Sequence, residues 1–180
     1  MSEARVHLPV HARTGFVLVQ PHYPENVGAC ARALKTMGFS RLMLVRAGRL
    51  AVPEHAMAFK MSVRAWDVLH ATERHAELAS ATRGALVFAT TSRRGVSGVL
   101  TAREAASLVV AEAARGREVR VVFGNEKTGL SAEEVDGADH RLRIPMAGDQ
   151  PSINLAQAVQ LVAYEIFVAG LAARGERGEP

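Results

Sequence analysis

Short, nearly continuous runs of apolar residues alternate along the chain with longer segments whose apolar residues recur every three or four positions. The short runs predict strands at residues 16–20, 41–45, 85–89, 119–124 and 141–144. The longer segments predict helices at residues 27–37, 72–81, 101–115, 131–136 and 154–171. Apolar strands of this kind are typical of a parallel sheet covered on both faces. The pattern therefore indicates an α/β fold with a mostly parallel sheet and helices on both faces.

The sequence predicts a single domain that spans residues 14–173. Neither an internal repeat nor a linker rich in proline, glycine and serine divides the chain, and 180 residues of which 48% are hydrophobic suffice for one core. Two predicted helices begin with capping boxes, Thr101 with Glu104 and Ser131 with Glu134. The two ends, residues 1–13 and 174–180, are predicted to be mobile tails.

Composition and charge favour a cytoplasmic globular protein. The single cysteine, Cys30, excludes an internal disulfide and fits a reducing compartment. The first 13 residues lack the apolar centre of a secretory signal, and the longest apolar runs are too short to span a bilayer. The formal net charge of +4 is compatible with ordinary solubility and equally with a polyanionic partner.

The first candidate site follows the first predicted strand. Pro24 and Asn26 favour a turn, and Asn26 can cap the helix that follows. Gly28 permits a close backbone approach. Arg32 lies six residues beyond Asn26, near enough to two helical turns for both side chains to address one ligand. A helix cap followed by a surface arginine explains the same residues at least as well.

The second candidate site follows the strand at residues 119–124. Gly124 and Gly129 bracket a carboxylate, Glu126, and a lysine, a spacing that predicts a tight loop with exposed backbone N–H groups. A nucleoside triphosphate is disfavoured, because a Walker loop needs lysine after its last glycine, whereas Leu130 follows Gly129. The dinucleotide fingerprint G-x-G-x-x-G is absent from the sequence as well.

The third candidate site is the long connection between the last strand and the last helix. It carries Gly148 and Pro151 and ends at Ser152 and Asn154, which can cap the helix. Loops of this length in compact domains are usually binding elements. Taken alone, the same segment could be a plain strand-to-helix connection.

In this order, and each after a strand, the three motifs resemble those of the SPOUT superfamily, specifically the SpoU/TrmH-type RNA 2′-O-ribose methyltransferases. The matching residues are Asn26, Gly28 and Arg32, then Gly124, Glu126 and Gly129, then Ser152 and Asn154. The resemblance extends over residues 16–167. The first and third motifs are similar to those of the branch that modifies tRNA at cytidine or uridine 32, whose members carry a further C-terminal helical extension.

The resemblance implies a C-terminal trefoil knot whose loops bind S-adenosylmethionine. The residues implied to bind this cofactor are Thr90, Thr91, Ser92, Gly124, Ile144, Met146, Pro151, Ser152 and Ile153. Backbone groups would recognise the adenine edge, while Ile144, Met146 and Leu155 would supply apolar walls. The sulfonium of the cofactor makes its methyl electrophilic, so no metal is expected, and the seven histidines show no metal-ligand spacing.

The resemblance also implies a catalytic set made of Arg32, Asn26, Glu126, Ser152 and Asn154. Because a guanidinium resists deprotonation, we expect Arg32 to hold the target phosphate and to stabilise a developing alkoxide rather than to act as a base. Asn26 would orient Arg32 or the ribose, and Glu126 would shape its loop or balance charge near the sulfonium. Ser152 and Asn154 would cap the last helix and touch substrate or cofactor.

The implied partners are RNA, with tRNA favoured over rRNA, and a second copy of the chain. A homodimer is expected because the first-motif helix and an apolar stripe on the last helix offer more hydrophobic surface than one domain hides. The stripe consists of Leu161, Tyr164, Phe167 and Val168. One alternative is a catalytically silent RNA-binding protein with the same fold. The other is a nucleotide-binding regulator, and the absence of the glycine fingerprints disfavours this second alternative.

Three further groups of residues complete these expectations. Cys30 lies between alanines without a partnered base, so packing in the core is favoured over a role as nucleophile. Arg93 and Arg94 lie beside the implied cofactor loop, where a phosphate contact would be useful. With one tryptophan, two tyrosines and six phenylalanines, the chain predicts no aromatic platform for single-stranded RNA.

Overall fold

The computed structural model describes residues 6–148 and 152–175. Within them, seven strands form one entirely parallel sheet in the order β3-β2-β1-β6-β4-β7-β5. The strands are β1 (Thr14–Val19), β2 (Arg41–Val45), β3 (Glu73–His75), β4 (Leu86–Thr90), β5 (Val99–Thr101), β6 (Val119–Phe123) and β7 (His140–Arg143). The predicted α/β class and all five predicted strands are confirmed. The two unpredicted strands, β3 and β5, are three-residue strands at the sheet edges, too short for a periodic signal.

Helices cover both faces of the sheet. They are α1 (Pro9–Arg13), α2 (Pro24–Thr36), α3 (Ala56–Met61), α4 (Trp66–His70), α5 (Leu78–Thr82), α6 (Ala102–Ala114), α7 (Ala132–Asp136) and α8 (Leu155–Ala173). Both predicted capping boxes are present, with Thr101 accepting from Glu104 N before α6 and Ser131 accepting from Glu134 N before α7. These side chains satisfy backbone donors that the first helical turn leaves unpaired.

Alternate residues of the central strands enter two separate cores. Phe16 and Leu18 of β1 belong to the larger core, which also contains buried residues of α2, α6 and α8. Val17 and Val19 of the same strand point to the other face, where the smaller core includes Val135 of α7. Because both faces are buried, the strands are apolar throughout rather than alternating with polar residues.

One predicted helix, at residues 72–81, is wrong. Glu73–His75 instead form β3, which pairs in parallel with Met43, Leu44 and Val45 of β2, and a helix begins only at Leu78. The pairing supplies backbone hydrogen bonds at the sheet edge, a long-range contact that outweighs the local pattern. The short helices α1, α3 and α4 were not predicted, since five or six residues are too few to show helical periodicity.

The predicted N-terminal tail, residues 1–13, is wrong for the part that the structure describes. Pro9–Arg13 form α1, and Leu8 and Val10 are buried in the larger core. The Leu8 side chain packs so closely on α8 that a Cβ added at Gly170 would lie 2.8 Å from it. This short segment therefore belongs to the domain. Of the predicted C-terminal tail, residues 176–180 lie outside the described residues, and Arg174 is the C-terminal cap of α8.

Helix α8 is long and apolar enough to cross a membrane by length and composition, with a mean hydropathy of 1.6 over 19 residues. This helix was predicted at residues 154–171, but Gln157, Gln160 and Glu165 interrupt its apolar residues, so no single apolar run indicated such a length. Its buried residues, among them Leu155, Val159, Val162 and Ile166, lie in the larger core between α2 and α6. The packing of these side chains inside the domain accounts for their apolar character.

Candidate active site and cofactor cavity

A cavity of about 340 Å³ opens where β4, β6 and β7 end. Its lining includes Thr90, Thr91, Ser92, Gly124, Ile144, Met146, Ser152 and Ile153. Eight of the nine implied cofactor residues thus surround one space, while Pro151 lies outside the described residues. The carboxyl ends of parallel strands are where α/β proteins bind ligands. A volume of this size lies in the range of small-molecule sites.

The glycine spacing of the second motif has a steric reason. A Cβ on Gly124 would lie 2.1 Å from both the carbonyl carbon of Gly129 and the nitrogen of Leu130, so no side chain fits there. Gly129 itself has φ +68°, a conformation that favours glycine. Its N–H donates to the Asn125 carbonyl at 2.9 Å and closes the turn. The loop is therefore tight, as predicted, and forms one wall of the cavity.

Glu126 binds the N-terminal end of α2. Its carboxylate accepts hydrogen bonds from His22 N at 2.9 Å, Tyr23 N at 3.3 Å and Asn26 Nδ2 at 2.8 Å. A negative charge is favoured there because the helix dipole places partial positive charge at that end. Glu126 therefore shapes its loop, one of the two roles the sequence suggested, by attaching it to the first motif.

Asn26 does not cap α2, which begins two residues earlier at Pro24. Its side chain is buried instead, and its Oδ1 accepts a hydrogen bond from Asn154 Nδ2 at 3.1 Å. Asn154 caps α8 as predicted, because its Oδ1 accepts from Ala156 N and Gln157 N. Glu126, Asn26 and Asn154, which we call the motif network, thus connect the three motifs.

Arg32 lies apart from the cavity. It is exposed on α2, is not among the residues that line the cavity, and its side chain forms no hydrogen bond or ion pair with any described residue. Gly28, one turn earlier, is buried against α3: an added Cβ would lie 2.0 Å from the Ala58 carbonyl oxygen. The close approach predicted at Gly28 is real, but the neighbour is a helix backbone. Arg32 is free to contact an anion arriving from solvent.

The loop after β4 is fixed by its own polar groups. Thr90 Oγ1 donates to the Val122 carbonyl at 3.0 Å, and Thr91 Oγ1 accepts from Arg93 N at 3.2 Å. The Arg93 guanidinium donates to the Leu130 carbonyl at 2.6 Å, which attaches this loop to the second motif. Arg93 therefore has a structural contact that the sequence did not reveal, whereas Arg94 is exposed without a partner among the described residues.

Cys30 is fully buried in the larger core, and burial raises the pKa of its thiol. A buried neutral thiol is a poor nucleophile, so the packing interpretation is confirmed.

In the described ranges, no group of three or more histidine, cysteine and acidic side chains is placed to hold a metal ion. Sequence reasoning missed Leu142 and Ala158, which also line the cavity, since nothing in the motifs distinguishes them from core residues.

The fold and the three motifs define the class of protein. The chain belongs to the SpoU rRNA Methylase family, whose sequence model matches residues 13–164. A curated relative is the tRNA (cytidine/uridine/adenosine-2′-O-)-methyltransferase TrmJ of Pseudomonas aeruginosa (strain UCBPP-PA14), 37% identical over 170 residues, which cover 91% of this chain and 64% of the relative. The chain spans less than two thirds of that relative's length.

Two solved structures show the same fold. One, which concerns the 2-OH methylation of C/U34 on tRNA, is 31% identical with a TM-score of 0.65, and the match covers 89% of this chain and 97% of that one. The other, an AdoMet-bound rRNA methyltransferase from Sinorhizobium meliloti, is 25% identical with a TM-score of 0.68, covering 89% and 57%. The family implies the trefoil knot, which for this chain stays a prediction.

Proposed function

We propose that the chain is an S-adenosylmethionine-dependent RNA methyltransferase that methylates a ribose 2′-OH of tRNA at cytidine or uridine 32. The observation that carries the proposal is the cavity in which loops of the second and third motifs meet, joined through the motif network to the helix that bears Arg32. Family membership and the similarity to the P. aeruginosa enzyme support the reaction class.

The cavity suits this cofactor in shape and chemistry. Backbone groups of the tight Gly124–Gly129 turn are available at one wall, and Ile144, Met146 and Leu155 give apolar contact at another. The cradle exists because position 124 has no Cβ, which would collide with Leu130 N. S-adenosylmethionine would supply an electrophilic methyl group on its sulfonium. The AdoMet-bound relative from S. meliloti supports this assignment. No metal is part of the proposal.

We assign two kinds of role to the five implied catalytic residues. Arg32 binds the phosphate or the developing charge on the 2′-oxygen, because its guanidinium is exposed, permanently charged and without a partner in the described residues. Ser152, at the cavity and exposed, contacts cofactor or substrate. Asn26, Glu126 and Asn154 are positioning residues, since their polar atoms already bind one another and backbone groups.

We infer that the active form is a cytoplasmic homodimer. Leu161, Tyr164 and Val168 are exposed along α8, which packs beside the helix that bears Arg32. Phe167, which the sequence placed on the same stripe, faces inward and stacks on His11 at 6.0 Å between ring centroids. Arg32 does not line the cavity of its own chain. In a homodimer, one RNA lying across both subunits would contact Arg32 of one subunit and the cavity of the other.

Three other functions are open. Position 34 of tRNA is a candidate because of the related structure concerned with C/U34, and rRNA is a candidate because of the S. meliloti relative. A catalytically silent RNA-binding protein is the third. The presence of the motif network does not argue against it, since those residues also serve the fold. Arg32 and Ser152, which have no such structural contact in the described residues, are the better evidence for catalysis.

Nucleoside mass spectrometry of tRNA and rRNA from cells that lack this protein tests the proposal. We expect loss of 2′-O-methylcytidine or 2′-O-methyluridine from tRNA fragments containing position 32, and its return when the wild-type chain is expressed. Return with Arg32→Ala would remove the arginine from the mechanism. Loss confined to position 34 or to rRNA would redirect the substrate, and unchanged RNA would contradict the proposed function.

A further inference from the structure

Two aromatic side chains stack on the surface formed by α3 and α4. Phe59 and Trp66 have ring centroids 5.2 Å apart and planes within 8° of parallel. Phe59 is 47% exposed and Trp66 48%, and Met61 and Val63 between them are exposed as well. We call Phe59 and Trp66 the aromatic pair. The low aromatic content predicted no aromatic platform. The sequence did not reveal this pair, because the two residues lie seven positions apart in two short helices that were not predicted.

The charge around the aromatic pair is positive. Lys60 and Arg64 are exposed, and their side chains form no ion pair or hydrogen bond with the residues the structure describes. The two nearby carboxylates are neutralised: Glu54 pairs with Arg74, and Asp67 pairs with Lys35 at 2.6 Å. Two cations without a paired carboxylate lie beside exposed aromatic rings. Such a surface can bind a polyanion whose flat apolar groups stack on the rings.

The backbone at Arg64 is strained. Its φ is +60°, in the left-handed region that non-glycine residues rarely adopt. Such conformations persist where the surrounding structure enforces them, and they concentrate at binding sites. The chain thus holds a cation at this point of the surface in a conformation that a glycine would adopt more readily.

The surface lies beside Arg32. On α2, Gly28, Arg32 and Lys35 follow one another at i, i+4 and i+7 and therefore share a face of the helix. Gly28 packs against Ala58 of α3, and Lys35 pairs with Asp67 of α4. Arg32, between them, faces the same pair of helices that carries the rings and the two free cations.

We propose that the aromatic pair, with Lys60 and Arg64, binds a single-stranded segment of the RNA substrate next to the target nucleotide. A base stacks on the exposed face of the rings while the two cations contact adjacent phosphates. The inference rests on the proposed function for the class of substrate. Self-association through this surface is disfavoured, because a two-fold interface would place two copies of Lys60 and Arg64, four positive charges, in one contact area.

Trp66 makes the surface measurable, since it is the only tryptophan in the chain. An unmodified tRNA anticodon stem-loop transcript, titrated into the wild-type chain, is expected to quench tryptophan fluorescence, with binding followed in parallel by anisotropy of the labelled RNA. Phe59→Leu and Trp66→Leu should each raise the Kd for this RNA about tenfold, the effect of losing one stacked base, whereas Trp66→Phe should restore most of the affinity. Leu108→Ala, at an exposed apolar residue of α6, is the matched control and should bind like wild type.

The cations have a separate test. Arg64→Gly removes the charge while suiting the left-handed backbone, so the fold is retained. This variant and Lys60→Ala should each weaken RNA binding and reduce the slope of log K against log salt by about one. Cofactor affinity should stay unchanged in all of these variants, because none of the four residues lines the cavity.

The outcomes separate this inference from the proposed function. Unchanged RNA affinity in Phe59→Leu and Trp66→Leu, with a methylating wild type, would overturn the inference and leave the function intact. A shift from dimer to monomer in these variants without loss of RNA affinity would overturn it too, by making the surface an interface between copies. RNA binding that depends on the aromatic pair in a chain that transfers no methyl group would support the surface and contradict the function.

Discussion

Glu126, Asn26 and Asn154 direct their polar atoms to one another and to the N-terminal ends of two helices, whereas Arg32, Lys60 and Arg64 form no such bond among the described residues. The first group is the motif network, and we call the second the free cations. Asn26 and Arg32 belong to one sequence motif, yet the structure divides them between the two groups. The hydrogen bonds of the motif network hold loops in place, whereas the free cations remain available to a ligand.

The largest expected effect comes from the free cations. Arg32→Ala should lower methyl transfer to tRNA by about 10²–10³, the scale for losing one group that stabilises the transition state. Arg32 does not line the cavity, and its side chain forms no hydrogen bond or ion pair with another described residue. Cofactor affinity should therefore stay within about threefold and the melting temperature should be unchanged. Single-turnover methylation, cofactor titration and thermal melting measure the three quantities.

Two variants control this result. Arg32→Lys should recover little activity, because a point charge does not reproduce a planar guanidinium. Arg83→Ala removes an exposed arginine from the opposite end of the sheet, just before β4, and should leave all three quantities as in wild type. A normal transfer rate in Arg32→Ala, or a large fall in its melting temperature, would erase the distinction between the two groups.

The motif network should behave in the opposite way. Glu126→Ala removes the acceptor of three hydrogen bonds and a negative charge at the start of α2, so we expect a loss of about 2 kcal/mol in the free energy of unfolding. Urea unfolding measures this loss. Glu126→Gln should lose less, since its amide oxygen can still accept. Full stability in Glu126→Ala together with abolished methyl transfer would show instead that Glu126 is catalytic.

The smallest effect concerns pH and a residue outside both groups. Burial, together with the nearby His7, lowers the pKa of His11. The unfolded chain therefore binds a proton more readily than the folded one, so stability is full above about pH 6.5 and falls as the pH drops below it. His11→Leu should flatten this dependence in thermal melts. An equally steep loss in His11→Leu would assign the acid sensitivity to other groups.

This pH dependence matters for the comparison between the two groups. A loss of activity on acidification that parallels the melting temperature reflects His11 and the fold. Loss of activity at constant melting temperature would instead report a titrating group in the reaction, a role that a guanidinium does not fill in proteins.

The sequence predicted the parts of the molecule that have strong local signals. The apolar runs gave five strands, and the capping residues fixed the starts of α6, α7 and α8. The glycine spacing of 124–129 predicted a tight loop, which the contact of Gly124 with Leu130 explains. Eight of the nine implied cofactor residues meet at one cavity because each follows the end of a parallel strand or precedes the last helix.

What the sequence could not predict depends on long-range contacts. The helix predicted at residues 72–81 is partly the edge strand β3, which exists only because β2 lies beside it. Asn26 has the composition of a helix cap, yet its partners are Glu126 and Asn154, at separations of 100 and 128 residues. The stacking of Phe59 on Trp66 likewise requires the turn between two short helices.

The proposed methylation of the ribose 2′-OH can be tested by transfer of a labelled methyl group from S-adenosylmethionine to two transcripts of one tRNA. The transcripts differ only at nucleotide 32, which carries ribose in one and 2′-deoxyribose in the other. Label is expected in the ribose transcript and not in the deoxyribose transcript, with the same result in the presence of a metal chelator. Equal labelling of both transcripts, or label in neither under conditions where the cofactor is bound, would contradict it.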